Sequence, residues 1–213
     1  IAFIPLYIKY LGIEADGLVG LFVVMQAWLS LLDMGMAPTL DREMGRFTGG
    51  ARSVHSIRDL LRSVELIAFA LSCVIALCVW ASAGWLATEW LRMEELSVAA
   101  VAQAFSIMGV VIALQFLSSI YRSSLIGLQK QVLFNVVNVF AATLRSVGAI
   151  AVLVWISPTI NAFFLWQGAM SIVTLLLLML TTYQCLPKMD RRGQFSLSAL
   201  KKIRSFAGGV MGI

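Results

Sequence analysis

Of the 213 residues, 60% are hydrophobic and 13% charged, and the mean hydropathy is +0.91; a soluble domain carries about a quarter charged residues, so the composition excludes one and describes an integral membrane protein. The net charge of +5 sits in alternate connections between apolar stretches, which excludes a nucleic-acid partner. The length accommodates about six spans of roughly 20 residues with short connections and no separate water-soluble domain.

The chain opens at Ile1 inside an apolar run, IAFIPLYI, too short to cross a hydrocarbon core of about 30 Å. It closes inside another, SFAGGVMGI. The expectation is therefore a fragment that starts within span one and stops as a seventh span begins. Residues 1–11 read as the tail of span one, followed by a polar turn around Lys9, Glu14 and Asp16. Span two follows over Gly17 to Pro38, then a hydrated basic loop, Thr39 to Ser63, with a short amphipathic helix around Val54 to Leu61. Span three takes Val64 to Ala87, span four Ser97 to Ile120, with the helix continuing to a stop near Gly127. Span five takes Val132 to Ile156, the turn SPT reverses the chain, and span six takes Ile160 to Leu186. The architecture expected is an all-α polytopic bundle: residues 1–186 form one transmembrane lobe, and 187–213 a cytoplasmic basic linker and the start of span seven.

The loops after spans two, four and six hold 13 Lys and Arg residues, against two in the loops after spans one, three and five. By the positive-inside rule the former are cytoplasmic. Arg42 and Arg46 read as anchors at the headgroups on that side. Cys73, Cys78 and Cys185 lie in apolar segments without ligand spacing, so they read as small core residues, with no metal site and no disulfide framework. His55, the one histidine, sits in a basic loop without a proton-relay pattern.

Two ionisable residues fall clearly within the predicted spans, away from their edges, Asp33 and Arg145, each costing about 2.5–3.5 kcal/mol at a helix centre on insertion scales. Both should face the bundle interior or a hydrated cavity. Polar or small residues recur at helical spacing in four spans: Gln26, Ser30, Asp33 and Ala37; Gln103 and Ser106, then Gln115, Ser118 and Ser119; Asn135, Asn138, Ala142, Arg145 and Ala149; Gln167, Ser171 and Thr174. Such stripes either line a central cavity or hydrogen-bond the helices together. On straight helices Asp33 and Arg145 differ in depth by roughly 12 Å, so a static pair and separate roles are both open. A guanidinium matches the oxygen pairs of a phosphate. Gly35 and Pro38 soften the end of span two, as a hinge beside Asp33 or as a plain helix stop.

Three stretches, PLYIKYLGIEADGLVGL, LLDMGMAPTLDREMGR and YRSSLIGLQK, resemble the polysaccharide and O-antigen flippases of the MATE-like multidrug/oligosaccharidyl-lipid/polysaccharide transporter superfamily. The resemblance covers nearly all of this chain, which would be about half of such a protein. It implies the first of two six-helix lobes around a cavity in a bacterial cytoplasmic membrane. It also implies export of a lipid-linked oligosaccharide by alternating access, without a cofactor or an enzymatic step, with the second lobe and polysaccharide-assembly proteins as partners. On that reading Arg145 meets a diphosphate or acidic sugar, Asn135, Asn138 and Gln167 hydrogen-bond sugars, and Asp33, with Gly35 and Pro38, serves ion coupling or gating. Alternatives are a drug or cation antiporter of the same superfamily, a membrane-embedded glycosyl or acyl transferase, and a structural membrane subunit.

Overall fold

A computed structural model describes residues 12–32, 36–90 and 96–187. The described residues form helices and no strand: α1 (Ile13–Leu32), α2 (Met36–Thr48), α3 (Val54–Trp85), α4 (Val98–Gly127), α5 (Gln131–Trp155) and α6 (Ile160–Cys185). A π-helical turn, Leu86–Trp90, extends α3. Among the described residues, four helices are long and apolar enough to cross a membrane, those beginning at Val54, Val98, Gln131 and Ile160. The chain is thus an all-helical membrane-embedded protein.

Helix starts follow local capping chemistry. Ser53, Ser97 and Thr159 each accept a hydrogen bond from the backbone N–H three residues on, at 3.3 Å, which satisfies one of the four donors that a first turn leaves unpaired. In α1, Glu14 and Asp16 lie in the first turn, where the helix dipole favours negative charge. Glu14 Oε2 also accepts from the Leu96 N–H at 3.1 Å, tying the start of α1 to the approach to α4.

Asp33 and Gly35 lie outside the described residues. On either side of them the described helices are Ile13–Leu32 and Met36–Thr48, and Pro38 and Ala37 belong to the latter. A correction concerns the basic loop. Residues 36–48 form amphipathic α2, with Leu40 and Met44 buried one turn apart and Arg42 and Arg46 exposed. The amphipathic segment at Val54 is not a short separate helix but the start of α3, whose 32 residues extend about 48 Å. That exceeds a hydrocarbon thickness of about 30 Å, so the first turns of α3 lie outside the apolar layer.

α4 occupies the middle of the bundle and packs against each of the other five helices. Its half away from the basic residues joins Ala15, Leu18 and Phe22 of α1, Ala83 of α3, Ala149 and Leu153 of α5, and Phe163 and Phe164 of α6 in one apolar core. The half near the basic residues packs Phe116 and Ile120 against Leu40 and Met44 of α2 and Ile57, Leu61 and Val64 of α3. At Gly109 an added Cβ would stand 2.7 Å from Val79 Cβ, so the α3–α4 crossing depends on the missing side chain. Cys73 and Cys78 are exposed on α3 and Cys185 is half-buried. The expectation of core cysteines fails for the first two because the outside of a membrane bundle is itself an apolar environment.

Two helix ends close through the same pair of reversed backbone bonds. After α2, Ala51 N–H donates to the Arg46 carbonyl at 2.9 Å and Gly50 N–H to Phe47 at 3.0 Å, with Gly50 in the left-handed region at φ 77°. After α4, Lys130 N–H donates to Leu125 and Gln129 N–H to Ile126, both at 2.9 Å, but the left-handed position at φ 57° is taken by Gln129. A side chain there costs about 1–2 kcal/mol relative to glycine. Gln129→Gly should therefore stabilise the protein by about 1 kcal/mol, read as a higher denaturation midpoint in detergent; an unchanged or lower midpoint would show that the Gln129 side chain makes a compensating contact.

Candidate functional site

Arg145 lies about 21 Å along α5 from Gln131 and about 15 Å from Trp155 at 1.5 Å per residue, near the middle of a membrane-length helix. It is half-buried. Its Nη2 donates to Thr174 Oγ1 of α6 at 3.4 Å, and its carbonyl oxygen accepts from Trp166 Nε1 at 3.0 Å. Gly148 makes this geometry possible: a Cβ there would overlap the Trp166 ring, which lies across α5. The Arg145 Nε is buried without a hydrogen-bond partner, and among the described residues no carboxylate forms an ion pair with this guanidinium. Among the described residues, a charge that is costly to place in hydrocarbon is thus held by one hydroxyl, Thr174 Oγ1, and its Nε has no partner.

The same helix carries an asymmetry. Asn135, Asn138, Ala142, Ala149 and Leu153 follow one another at helical spacing and share a face. Ala149 and Leu153 are buried against the core at 0% and 2% exposure, whereas Asn135, Asn138 and Ala142 are exposed. The polar face is therefore covered in the half near Trp155 and open in the half near Gln131. Phe134 and Val137, on the adjoining face, pack against Tyr121, Leu125 and Leu178, which keeps α5 attached to α4 and α6 along that open half.

Gln167 does not join these residues. It is buried at 8% exposure, because α6 packs against central α4 as well as against α5. The four residues expected to bind substrate thus occupy three settings: Arg145 between α5 and α6, the two asparagines on the open face of α5, and Gln167 within the bundle.

Most of the remaining stripe residues make bonds, although the buried Ser171 hydroxyl has no partner among the described residues. Gln26 Nε2 donates to Gln115 Oε1 at 2.8 Å, joining α1 to α4, and Asn161 Nδ2 donates to Gln103 Oε1 at 2.9 Å, joining α6 to α4. Ser106, Ser118, Ser119 and Thr174 donate to carbonyl oxygens of their own helices. The side chain of Ser30 lies outside the described residues. α4 fills the middle with apolar side chains, and of the two readings open for the stripes, Gln26–Gln115 and Asn161–Gln103 follow the one in which polar residues bond helices together.

At the basic end, Arg46 Nη1 contacts Glu43 Oε1 at 3.3 Å, and the Arg52 guanidinium pairs with the other oxygen of Glu43. Arg42 and Arg46 are both exposed, as interfacial residues would be. Burial raises the Asp41 carboxyl above its ordinary value.

One ionisable residue escaped the sequence reading. Glu65 is 5% exposed and binds Tyr183 Oη at 2.7 Å and Arg62 Nη1 at 3.1 Å. It stands at the edge of predicted span three, one residue after Val64. Its spacing from Leu61, Ala68 and Ser72, at helical steps on the buried face, is the signal that marks it as interior.

Set against protein-family models, curated proteins and solved structures, the chain matches none of them.

Proposed function

We propose that this chain is one lobe of a membrane transporter that flips a lipid-linked oligosaccharide across the bacterial cytoplasmic membrane by alternating access, without a catalytic step. The observation that carries this reading is the half-open polar face of α5 beside Arg145. Asparagine amides offer both donors and acceptors to sugar hydroxyls. A mid-depth guanidinium with spare donors suits a phosphate or an acidic sugar. A face that is open near the basic end and covered at the other has the polarity required of a site that meets its substrate from one side. The resemblance of the three motif stretches to polysaccharide flippases supports the same conclusion. A cation antiporter is disfavoured by the charge at this depth, since an organic cation would meet Arg145 as a repulsive group.

In the full-length protein, Arg145→Ala should reduce surface glycan export by more than about tenfold, the scale of loss when one partner of a buried charged contact is truncated, while membrane levels stay unchanged. Arg145→Lys keeps the charge but loses the planar fork, so it should restore export only in part. Normal export in Arg145→Ala would remove this residue from the mechanism and with it the main support for an anionic substrate.

A further inference from the structure

Arg122 stands near the end of α4, where that helix meets the start of α5. Its guanidinium carbon lies 5.9 Å from the centroid of the Phe134 ring of α5, within the range of attraction between a cation and a ring face. Tyr121, one residue before, is buried at 4% exposure, whereas Arg122 is exposed. Other arginines of the basic end are already engaged. Arg46 and Arg52 meet Glu43, Arg62 meets Glu65, and Arg58 donates to the Pro187 carbonyl. Among the described residues Arg122 forms no ion pair, and contact with a ring face takes up none of the five N–H donors of a guanidinium.

Asn138 lies one turn after Phe134 and Arg145 two turns after Asn138, at steps of four and seven that keep the three on one side of α5. At 1.5 Å per residue, Phe134 and Arg145 are about 16 Å apart along the helix. One side of α5 therefore leads from an exposed guanidinium beside Phe134, past the exposed amide of Asn138, to the half-buried guanidinium of Arg145. The two cations are placed differently enough to do different things. A cation at an exposed rim raises the rate at which an anion arrives, and does so less at high salt, whereas one that is desolvated governs how long the anion stays.

We propose that Arg122 is the outer of two anion stations on this side of α5, receiving the phosphate of the lipid-linked substrate before Arg145 takes it. This rests on the transport reading above and adds a division of labour to it: Arg122 sets the rate of arrival and Arg145 the time of residence. Asn138 offers hydrogen bonds between the two.

The test is the binding kinetics of geranyl diphosphate, a short lipid diphosphate, to the full-length protein in detergent. Arg122→Ala should slow association by about tenfold and flatten its dependence on salt, with dissociation unchanged. Arg145→Ala should instead speed dissociation by about tenfold or more. Arg122→Lys keeps the charge and should restore the association rate. Arg46→Ala removes an exposed charge that is already paired with Glu43 and should leave both rates as they are; slowing equal to that of Arg122→Ala would make the effect one of diffuse charge and overturn the station. Inorganic diphosphate should arrive with the same dependence on Arg122 but leave faster, since it has no chain to bury; equal dissociation of the two probes would overturn a lipid-borne ligand. Unslowed association in Arg122→Ala, with Arg145→Ala still impaired, would overturn the outer station and leave the transport reading standing. Absence of binding by the unaltered protein would overturn both.

Discussion

Gly148→Ala should lower stability and, on the proposed transport role, export with it. The added methyl would occupy the space of the Trp166 ring, and the ring cannot retreat without giving up its Nε1 bond to the Arg145 carbonyl, 3.0 Å long. Overpacking of this kind costs about 1–3 kcal/mol. The same displacement shifts α5 against α6, where Arg145 reaches Thr174. The expected results are an earlier unfolding midpoint in detergent and export reduced toward the level of Arg145→Ala. Stability lost with full export would separate Trp166 from the site; full stability would show that the helices yield easily at this crossing.

Gly127→Ala should have the larger effect on stability. A Cβ at Gly127 would overlap the Asp41 carbonyl oxygen and stand 2.7 Å from Met44 Cβ. Neither is the flexible tip of a side chain. The clash can be relieved only by moving α2 away from the end of α4, which uncovers Leu40 and Met44, now 1% and 0% exposed. Burying such a side chain stabilises by about 1.5–3 kcal/mol, so a cost near 3 kcal/mol is expected. It should appear as faster proteolysis between Arg42 and Arg58 and as weakened resistance to denaturant. Unchanged proteolysis would mean that α2 is held by the membrane surface rather than by α4.

The sequence carried the helix ends well wherever chemistry was local. Ser97 and Thr159 are strong caps, and the stop near Gly127 falls where the structure ends α4. It carried less at Pro38, because proline is compatible with a helix stop, a bend and a first turn alike. It also hid the centrality of α4. Its polar stripe of Gln103, Ser106, Gln115, Ser118 and Ser119 marks one face, whereas its apolar faces read alike whether they meet lipid or a neighbour, and only the tertiary arrangement shows which helices surround it. The site divides along the same line. Arg145 stands out because a charge inside a span is costly wherever it points. Asn135, Asn138 and Gln167 have comparable side chains in comparable spans, and the sequence gives no reason to separate them. Packing does so by placing Gln167 against the core and leaving the asparagines on an open face. Glu65 was legible only as one residue of a buried stripe, and its bond to Tyr183, 118 positions away, has no local signature.

The position of α4 also dictates the order in which the protein can be completed. Its face against α3 can be satisfied as soon as both helices have been inserted. The face against α6 cannot, because Phe163, Phe164 and Met170 are translated after α5 has passed. At about 5–20 residues per second, the roughly 60 residues from the end of α4 to the end of α6 take about 3–12 s. During that interval the nascent chain holds an unfinished seam within the membrane, which a chaperoning insertase or surrounding lipid must cover. A ribosome stalled before Ile160 would leave α4 half covered, and the membrane quality-control proteases would meet a substrate that the finished protein never presents.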